Sequence, residues 1–239
     1  MFTPDPNLRV AVYGSEVKKA GRGVGLWAAG YPGAIAAAGA TATLLGQAAG
    51  DESWDEVLEG FHGVVVAGFH QTDPTQMGDV ESLCLWCKQH RFPLLAIDRG
   101  LLAMNAAFGG TNYGDLSREM PEALQHRHPP EPGLRHAINV LPKTALSAIY
   151  GEGEVVVNSE HRQAVQKIAN GFAASGIALD GVVEAIEFTG TNWFAMGVQW
   201  QPASGTASGL DIQVFRGLVD AAQLALTGTP AGRKMAMAG

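Results

Sequence analysis

Short apolar runs alternate with helix-like segments through the first half of the chain, and this alternation restricts the fold more than any other feature. The apolar runs lie at residues 8–14, 40–46, 62–69 and 92–100. The helix-like segments lie at residues 31–40, 78–90 and 101–110. Runs that are apolar throughout are typical of strands buried on both faces of a parallel sheet. The order therefore predicts a three-layer α/β fold, with a doubly wound, mostly parallel sheet flanked by helices and a ligand crevice at the carboxyl ends of the strands.

The second half of the chain returns to strand-like patterns after a polar segment. Residues 117–133 are rich in proline and polar residues, which predicts a long surface loop. Strand-like composition recurs at residues 154–169, 181–190 and 193–200, and an amphipathic helix is predicted at residues 210–226. Because the sequence shows no internal repeat, we interpret residues 1–226 as a single domain and expect residues 227–239 to be a disordered tail.

The composition favours a globular protein and disfavours several classes of partner. Of the 239 residues, 46% are hydrophobic, and the formal net charge is −7 with no cluster of lysine or arginine. This charge argues against nucleic acids and anionic membranes as partners. No apolar run approaches the roughly 20 residues that span a bilayer, and the first residues lack the pattern of a signal peptide. We therefore expect a cytoplasmic protein.

Two cysteines and three histidines raise the question of redox or metal chemistry. Cys84 and Cys87 form a C-x-x-C motif in a helical pattern, which can be a redox pair or two small apolar residues on one helix. The second interpretation is favoured because no other C-x-x-C completes a zinc site. His126, His128 and His136 lie in or beside the proline-rich segment. A solvated loop is favoured over a metal site there, since no acidic or cysteine partner has the right spacing, and no metal or cofactor is expected.

A sharp turn joins the apolar run at residues 92–97 to the helix that follows it. Residues 97–100 read Ile-Asp-Arg-Gly, a strand–turn–helix layout that exposes one side chain above the sheet, as in a nucleophile elbow. That side chain is Asp98, and the backbone N–H of Arg99 can contribute to an oxyanion hole. Aspartate tolerates the positive φ of such a turn better than most residues. Asp98 can then be a helix cap, or an acidic anchor that attracts an ammonium group.

Five ordered motifs resemble those of class I glutamine amidotransferase-like proteins, and in particular the γ-glutamyl-γ-aminobutyrate hydrolase branch, the peptidase C26 group. The resemblance runs from about residue 8 to residue 226. The motifs lie at residues 62–74, at the elbow with Asn105 and residues 109–111, and at residues 158–163, 180–187 and 197–202. The resemblance implies a glutamine amidotransferase-like, flavodoxin-like fold and an ancestral activity of γ-glutamyl amide hydrolysis.

The departures from this resemblance fall on the catalytic positions. Where the family has its cysteine nucleophile, this chain has Asp98. The position of the catalytic histidine holds Gln201, and that of the acidic residue orienting it holds Ala203. A carboxylate is a weak nucleophile, and a glutamine amide cannot accept and return a proton at neutral pH. The resemblance therefore implies that these three positions are catalytically inactive.

Other motif residues are expected to contribute to binding. The segment at residues 62–74 matches the family's oxyanion loop, and one of its glycines is replaced by phenylalanine. His161 matches the motif histidine that lies near the pocket in the family. The predicted binding residues are Gly68, Phe69, Arg99, Asn158, Ser159, His161 and Gln163.

Three hypotheses for the function remain open. The first is a pseudoenzyme that binds a small γ-glutamyl or amine ligand, or a partner protein, without turnover. The second is an active γ-glutamyl amide hydrolase that uses Asp98 and His161 in place of the usual triad. The third is a regulatory subunit of a synthetase-like partner. A homodimer is expected only on general grounds.

Overall fold

The computed structural model describes residues 7–14, 30–45, 53–67, 74–127 and 133–227. The strands are β1 (Arg9–Tyr13), β2 (Thr41–Leu45), β3 (Gly63–Val66), β4 (Leu94–Ile97), β5 (Thr111–Tyr113), β6 (Arg135–Val140), β7 (Gly153–Asn158), β8 (Ala164–Lys167), β9 (Phe172–Ala178), β10 (Val183–Phe188) and β11 (Ala195–Val198). The helices are α1 (Tyr31–Ala38), α2 (Trp54–Val57), α3 (Pro74–His90), α4 (Arg99–Ala107), α5 (Leu116–Glu119), α6 (Ala145–Tyr150) and α7 (Ile212–Thr227). Within the described ranges, no helix is long and apolar enough to cross a membrane.

The strands form one mixed sheet in the order β2-β1-β3-β4-β11-β10-β9-β6-β7, with β5 and β8 attached beside β10. From β2 to β11 every neighbouring pair is parallel. From β11 to β7 every neighbouring pair is antiparallel. The predicted α/β fold with a sheet between helices is confirmed. β11, the last of the described strands along the chain, is the strand at which the parallel part meets the antiparallel part.

The parallel strands β1, β3, β4 and β11 are almost entirely buried on both faces, as their apolar composition predicts, whereas β2 at the edge of the sheet is only partly buried. In β1, Val10 and Val12 pack into one core, and Ala11 and Tyr13 pack into the other. Helices α1, α6 and α7 cover the first face, and α3 and α4 cover the second. Each fully buried aliphatic side chain contributes roughly 1.5–3 kcal/mol relative to an exposed one. These two cores therefore hold the carboxyl ends of β4 and β11 in fixed positions.

The segment predicted as a surface loop, residues 117–133, is only partly one. It begins within α5, and the side chain of His126 is buried with 1% exposure. The strands β6 and β9 and the helix α6 were not predicted either. The two strands depend on pairing with each other and, through β9, with β10, and this non-local pairing leaves little trace in the local sequence. Helix α6 does carry a local signal, the capping box of Thr144 and Ser147, which sequence reasoning missed.

The two cysteines are buried and unpaired on α3, where they pack in the second core. This agrees with their interpretation as small apolar residues of one helix. Burial raises the pKa of the Cys84 thiol well above its usual range, so that the reactive thiolate is disfavoured. The predicted tail falls almost entirely in residues 228–239, which lie outside the described residues, and the single-domain boundary stays a prediction.

Candidate functional site

The predicted elbow is present between β4 and α4. Asp98 has a φ of 54°, the left-handed region expected of an elbow residue. Its backbone N–H donates to the carbonyl of Val198 at 2.8 Å, which fixes the turn to the end of β11. A Cβ on Gly100 would lie 2.3 Å from the carbonyl oxygen of Val66, so only glycine lets α4 start this close to β3. These contacts hold the Asp98 side chain at the carboxyl edge of the sheet.

Two glutamine amides hold the carboxylate of Asp98. Gln199 Nε2 donates to Oδ1 at 2.8 Å, and Gln201 Nε2 donates to Oδ2 at 3.0 Å. The hydroxyl of Tyr31 in turn donates to Gln201 Oε1 at 3.4 Å. Asp98 occupies the N-cap position of α4, as predicted, but its side chain makes no capping hydrogen bond to the helix. Both amides come from the segment that directly follows β11.

The electrostatic surroundings of Asp98 favour a raised pKa. Burial raises the pKa of this carboxyl above its ordinary value. His161, Arg99 and the amides of Gln201 and Gln199 lower it, and their sum is smaller than the effect of burial. Asp98 is therefore a carboxylate that gains a proton at a higher pH than an ordinary aspartate does.

The motif at residues 158–163 braces the segment that carries Gln201. Asn158 exchanges two hydrogen bonds with the backbone of Gln201, donating to its carbonyl at 3.0 Å and accepting from its N–H at 2.9 Å. Ser159 Oγ donates to the carbonyl of His126 at 2.7 Å. The structure thus places Asn158 and Ser159 in backbone contacts that position neighbouring segments. Ala203 packs against the first core, and its carbonyl lies where a Cβ on Gly30 would clash.

A small cavity of about 40 Å³ opens beside the elbow. It brings together three predicted residues besides Asp98, namely Arg99, His161 and Gln163, with charged side chains that sequence reasoning missed. The cavity is lined by Asp98, Arg99, Arg127, Glu160, His161, Arg162 and Gln163. The predicted loop residues Gly68 and Phe69 lie outside the described residues. The missed arginines, Arg127 and Arg162, directly follow His126 and His161 in the sequence. That position identifies them as pocket residues only once the two histidines are known to lie near the cavity.

A buried cluster of imidazoles lies behind this cavity. His126 Nδ1, His136 Nε2 and His161 Nε2 are 3.2, 3.4 and 3.2 Å from Oε1 of Glu184. The side chains of His126, His136 and His161 are 1%, 7% and 3% exposed, and that of Glu184 is fully buried. The prediction of a solvated loop around His126 and His136 is therefore wrong. Its premise failed because the acidic partner comes from β10, far along the sequence; His128 lies outside the described residues.

Glu184 is held as an anion by the three imidazoles. Burial alone would raise its pKa, but the nearby imidazoles of His161, His126 and His136 hold the pKa of Glu184 well below its usual range. Burial lowers the pKa of His161 and His136, and the contact with Glu184 outweighs this, so that the net shift is upward. Imidazole nitrogens and a carboxylate are also groups that bind divalent metals.

Comparison with known proteins agrees with the elbow and the sheet. The profile of the family described as "Peptidase C26" matches residues 11–203. A Mycobacterium tuberculosis protein named "Putative glutamine amidotransferase Rv2859c" is 31% identical over 208 residues, which cover 79% of this chain and 65% of that protein. "Gamma-glutamyl-gamma-aminobutyrate hydrolase PuuD" of Escherichia coli is 33% identical over 143 residues, which cover 56% of each chain. The chain thus aligns with less than two thirds of the length of these relatives.

A solved structure supports the fold at low sequence identity. The crystal structure of a "putative gmp synthase subunit a protein" from Thermoplasma acidophilum superposes with a TM-score of 0.65 at 14% identity, covering 92% of this chain and 96% of that one. At this identity the likeness concerns the fold alone. The family profile, in contrast, covers most of the chain, from β1 through the elbow to Ala203. The chain therefore belongs to the Peptidase C26 family.

Proposed function

We propose that this protein is a catalytically impaired γ-glutamyl hydrolase-like protein that binds a small γ-glutamyl or amine ligand without turning it over. The observation that carries the proposal is the pair of amides on Asp98. Both carboxylate oxygens accept hydrogen bonds from glutamine side chains, Gln199 and Gln201. A hydrolase of this family needs a nucleophile and a base that takes its proton, and an amide supplies no such base at neutral pH.

The charge at the elbow also opposes acyl transfer. Hydrolysis of an amide develops a negative charge on the carbonyl oxygen, and an oxyanion hole is built to stabilise it. An ionised Asp98 places a second negative charge beside that position and disfavours the transition state. Loss of triad members costs several orders of magnitude in rate, even when the rest of the site is intact.

The charges that line the cavity indicate what it binds. Asp98 and Glu160 contribute carboxylates, and Arg99, Arg127 and Arg162 contribute guanidinium groups. A ligand end that carries both an ammonium and a carboxylate matches this lining, because each of its charges finds an opposite one. The cavity of about 40 Å³ is small, so we expect it to accommodate the charged end of a ligand and not a whole γ-glutamyl amine.

A working hydrolase that uses Asp98 and His161 is the second candidate, since both residues line the same cavity. The contacts of the imidazole argue against it. His161 Nδ1 lies 2.9 Å from the carbonyl of Gln163, and Nε2 faces Glu184 at 3.2 Å. Neither ring nitrogen is directed at Asp98. A synthetase-like partner stays a prediction, motivated only by the glutamine amidotransferase names of the relatives.

The test pairs turnover with binding. The purified chain is incubated with a panel of γ-glutamyl amines, product release is followed by mass spectrometry, and binding is measured by calorimetry. We expect no product above the uncatalysed rate, and we expect Asp98→Asn to weaken binding by about 10-fold or more, because a charge-assisted contact is lost. Asp220→Asn, on the exposed side of α7, is the matched control and should bind as the wild type does.

Two outcomes would contradict the proposal. Turnover by the wild type that disappears in both Asp98→Asn and His161→Ala would establish the second candidate instead. Equal ligand affinity in wild type and Asp98→Asn would show that the elbow carboxylate does not contact the ligand.

Ligand binding should depend on pH through Asp98. The carboxylate must be ionised to attract an ammonium group, and burial raises its pKa above the ordinary value of 3.8. As the pH falls, the affinity should therefore decline at a higher pH than an ordinary aspartate would give. Calorimetry across the acidic range checks this, with Asp98→Asn expected to remove the Asp98 step of the profile. A wild-type profile with the same midpoint as free aspartate would contradict it.

A further inference from the structure

We propose that His126, His136, His161 and Glu184 form a binding site for one divalent transition metal ion, for which zinc is the best fit. The four residues come from four separate segments: the stretch after α5, strand β6, the turn after β7, and strand β10. Each offers one ligand atom, and these atoms all lie within 4.8 Å of one another. The site is distinct from the elbow, although His161 borders both.

The distances from Glu184 Oε1 to the three imidazole nitrogens match the edge of a tetrahedral zinc site. Zinc binds imidazole nitrogen and carboxylate oxygen at about 2.0–2.2 Å, which makes the edge of a tetrahedron about 3.3–3.5 Å long. The three imidazole nitrogens lie 3.2, 3.4 and 3.2 Å from Glu184 Oε1. Three of the six ligand–ligand distances are therefore close to this edge length, and all four ligand atoms lie within 4.8 Å of one another, so that a small inward movement of the imidazoles would complete the tetrahedron.

The outer nitrogen of each imidazole already faces an acceptor. His126 Nε2 lies 2.9 Å from Asp180 Oδ2. His161 Nδ1 lies 2.9 Å from the carbonyl of Gln163, and His136 Nδ1 lies 3.2 Å from the carbonyl of Ala137. A neutral imidazole that donates outward carries its lone pair on the inner nitrogen. This is the tautomer that metal-binding histidines adopt, and a carboxylate or carbonyl partner commonly fixes it.

Protonation of the three imidazoles does not explain why so many polar atoms at the centre of the cluster lack hydrogen-bond partners. The inner nitrogens of His126, His136 and His161 are buried and form no well-directed hydrogen bond with any described residue. The same holds for the two carboxylate oxygens of Glu184. If all three rings were protonated, three buried cations would surround one carboxylate, and all three would crowd the same oxygen. Buried polar atoms are rarely left without partners, so this set of unpartnered atoms aimed at one point indicates a missing ligand.

A divalent ion bound by three neutral imidazoles gives the cluster a better charge balance than three protonated imidazoles would. With three neutral imidazoles, the ion's two positive charges are offset by the carboxylates of Glu184 and of Asp180, which holds His126. Imidazole with a single carboxylate suits zinc better than the all-oxygen sets of magnesium or calcium. Because the protein supplies four ligands, the site is of the closed, structural kind. It would fasten the stretch after α5, strand β6 and the Asn158–Gln163 motif to β10.

The experiment measures metal binding directly and does not depend on enzymatic activity. The full chain, prepared without a histidine tag, is analysed for metal by mass spectrometry, treated with a chelator, and titrated with Zn²⁺ and Co²⁺. We expect about one zinc per chain, a melting temperature that falls by about 5 °C or more on chelation, and the visible absorption bands of tetrahedral cobalt. Wild-type protein that binds neither ion after chelation would overturn the proposal.

Variants of the ligands locate the site. Glu184→Gln and His136→Gln should weaken zinc binding by at least about 100-fold, given that loss of an outer partner alone costs 10- to 100-fold. The matched control is His90→Gln, since His90 is a partly exposed histidine on α3 that stacks on Trp86. Equal zinc affinity in the two ligand variants and the wild type would place the metal elsewhere and overturn the assignment. The cobalt spectrum of the wild type decides the question even if neither ligand variant folds.

Discussion

Gly100→Ala is expected to lower the free energy of unfolding by about 3 kcal/mol, because the added methyl group meets a backbone oxygen that cannot move aside. The ideal Cβ would lie 2.3 Å from the Val66 carbonyl oxygen, at the point where α4 begins against β3. To relieve this clash, α4 or the elbow must shift as a unit. For a chain of this length, a change of about 3 kcal/mol corresponds to a fall of roughly 6–12 °C in melting temperature.

The matched control for Gly100→Ala is Gly78→Ala. Gly78 lies in the interior of α3 and is exposed, and beyond its own helix no described residue comes within 4 Å of an added Cβ. Alanine there should raise the stability by roughly 0.5–1 kcal/mol, since it only restricts the unfolded chain and favours the helix. Thermal and urea unfolding followed by circular dichroism measure both variants. If Gly100→Ala were as stable as Gly78→Ala, the close approach of α4 to β3 would be refuted.

The second large effect is expected from rebuilding the replaced triad. The triple variant Asp98→Cys, Gln201→His, Ala203→Glu should hydrolyse γ-glutamyl amines at least about 1,000-fold faster than the wild type, since complete triads contribute several orders of magnitude. The new thiol would occupy the turn that holds Asp98 at the sheet edge, and the new imidazole would take the place of the amide that now contacts it at 3.0 Å. Mass spectrometry of the released amine gives the rate.

The single variant Asp98→Cys is the control for the triple variant. It supplies a thiol but leaves Gln201, which cannot take the proton, so its rate should stay close to that of the wild type. Melting curves of all variants establish that they are folded. If the folded triple variant were no faster than the wild type, the replaced residues would not be the cause of the impairment, and the proposed function would lose its main argument.

Sequence patterns predicted the parallel part of the fold better than the antiparallel part. The strands β3 and β4 are apolar throughout, and β1 is apolar after the exposed Arg9, because both faces of these strands are buried. The pattern that predicts them therefore lies within each strand's own residues. The strands β6 and β9 instead owe their place to each other, through pairs such as Ile138 with Ala178. A local pattern does not contain such pairing.

Site residues that lie within a sequence motif could be predicted. Those brought together only by the fold could not. Asp98 and Gln201 were identified from their positions in ordered motifs, and the structure places them in contact. Gln199 was missed, although it lies two residues from Gln201 and so extends toward the same side. The cluster around Glu184 was missed because its histidines are scattered, and only the pairing of β6, β9 and β10 brings them together.

The position of β11 has a consequence for how the chain folds during synthesis. Among the described strands it is the last to leave the ribosome, yet it lies between β4 and β10. Until it emerges, β4 keeps an unpaired edge, and this apolar edge can pair with other chains. The strands β1 to β4 cannot cover this edge themselves, because its partner in the folded sheet is β11. We therefore expect the nascent chain to depend on chaperones until its final strand is inserted.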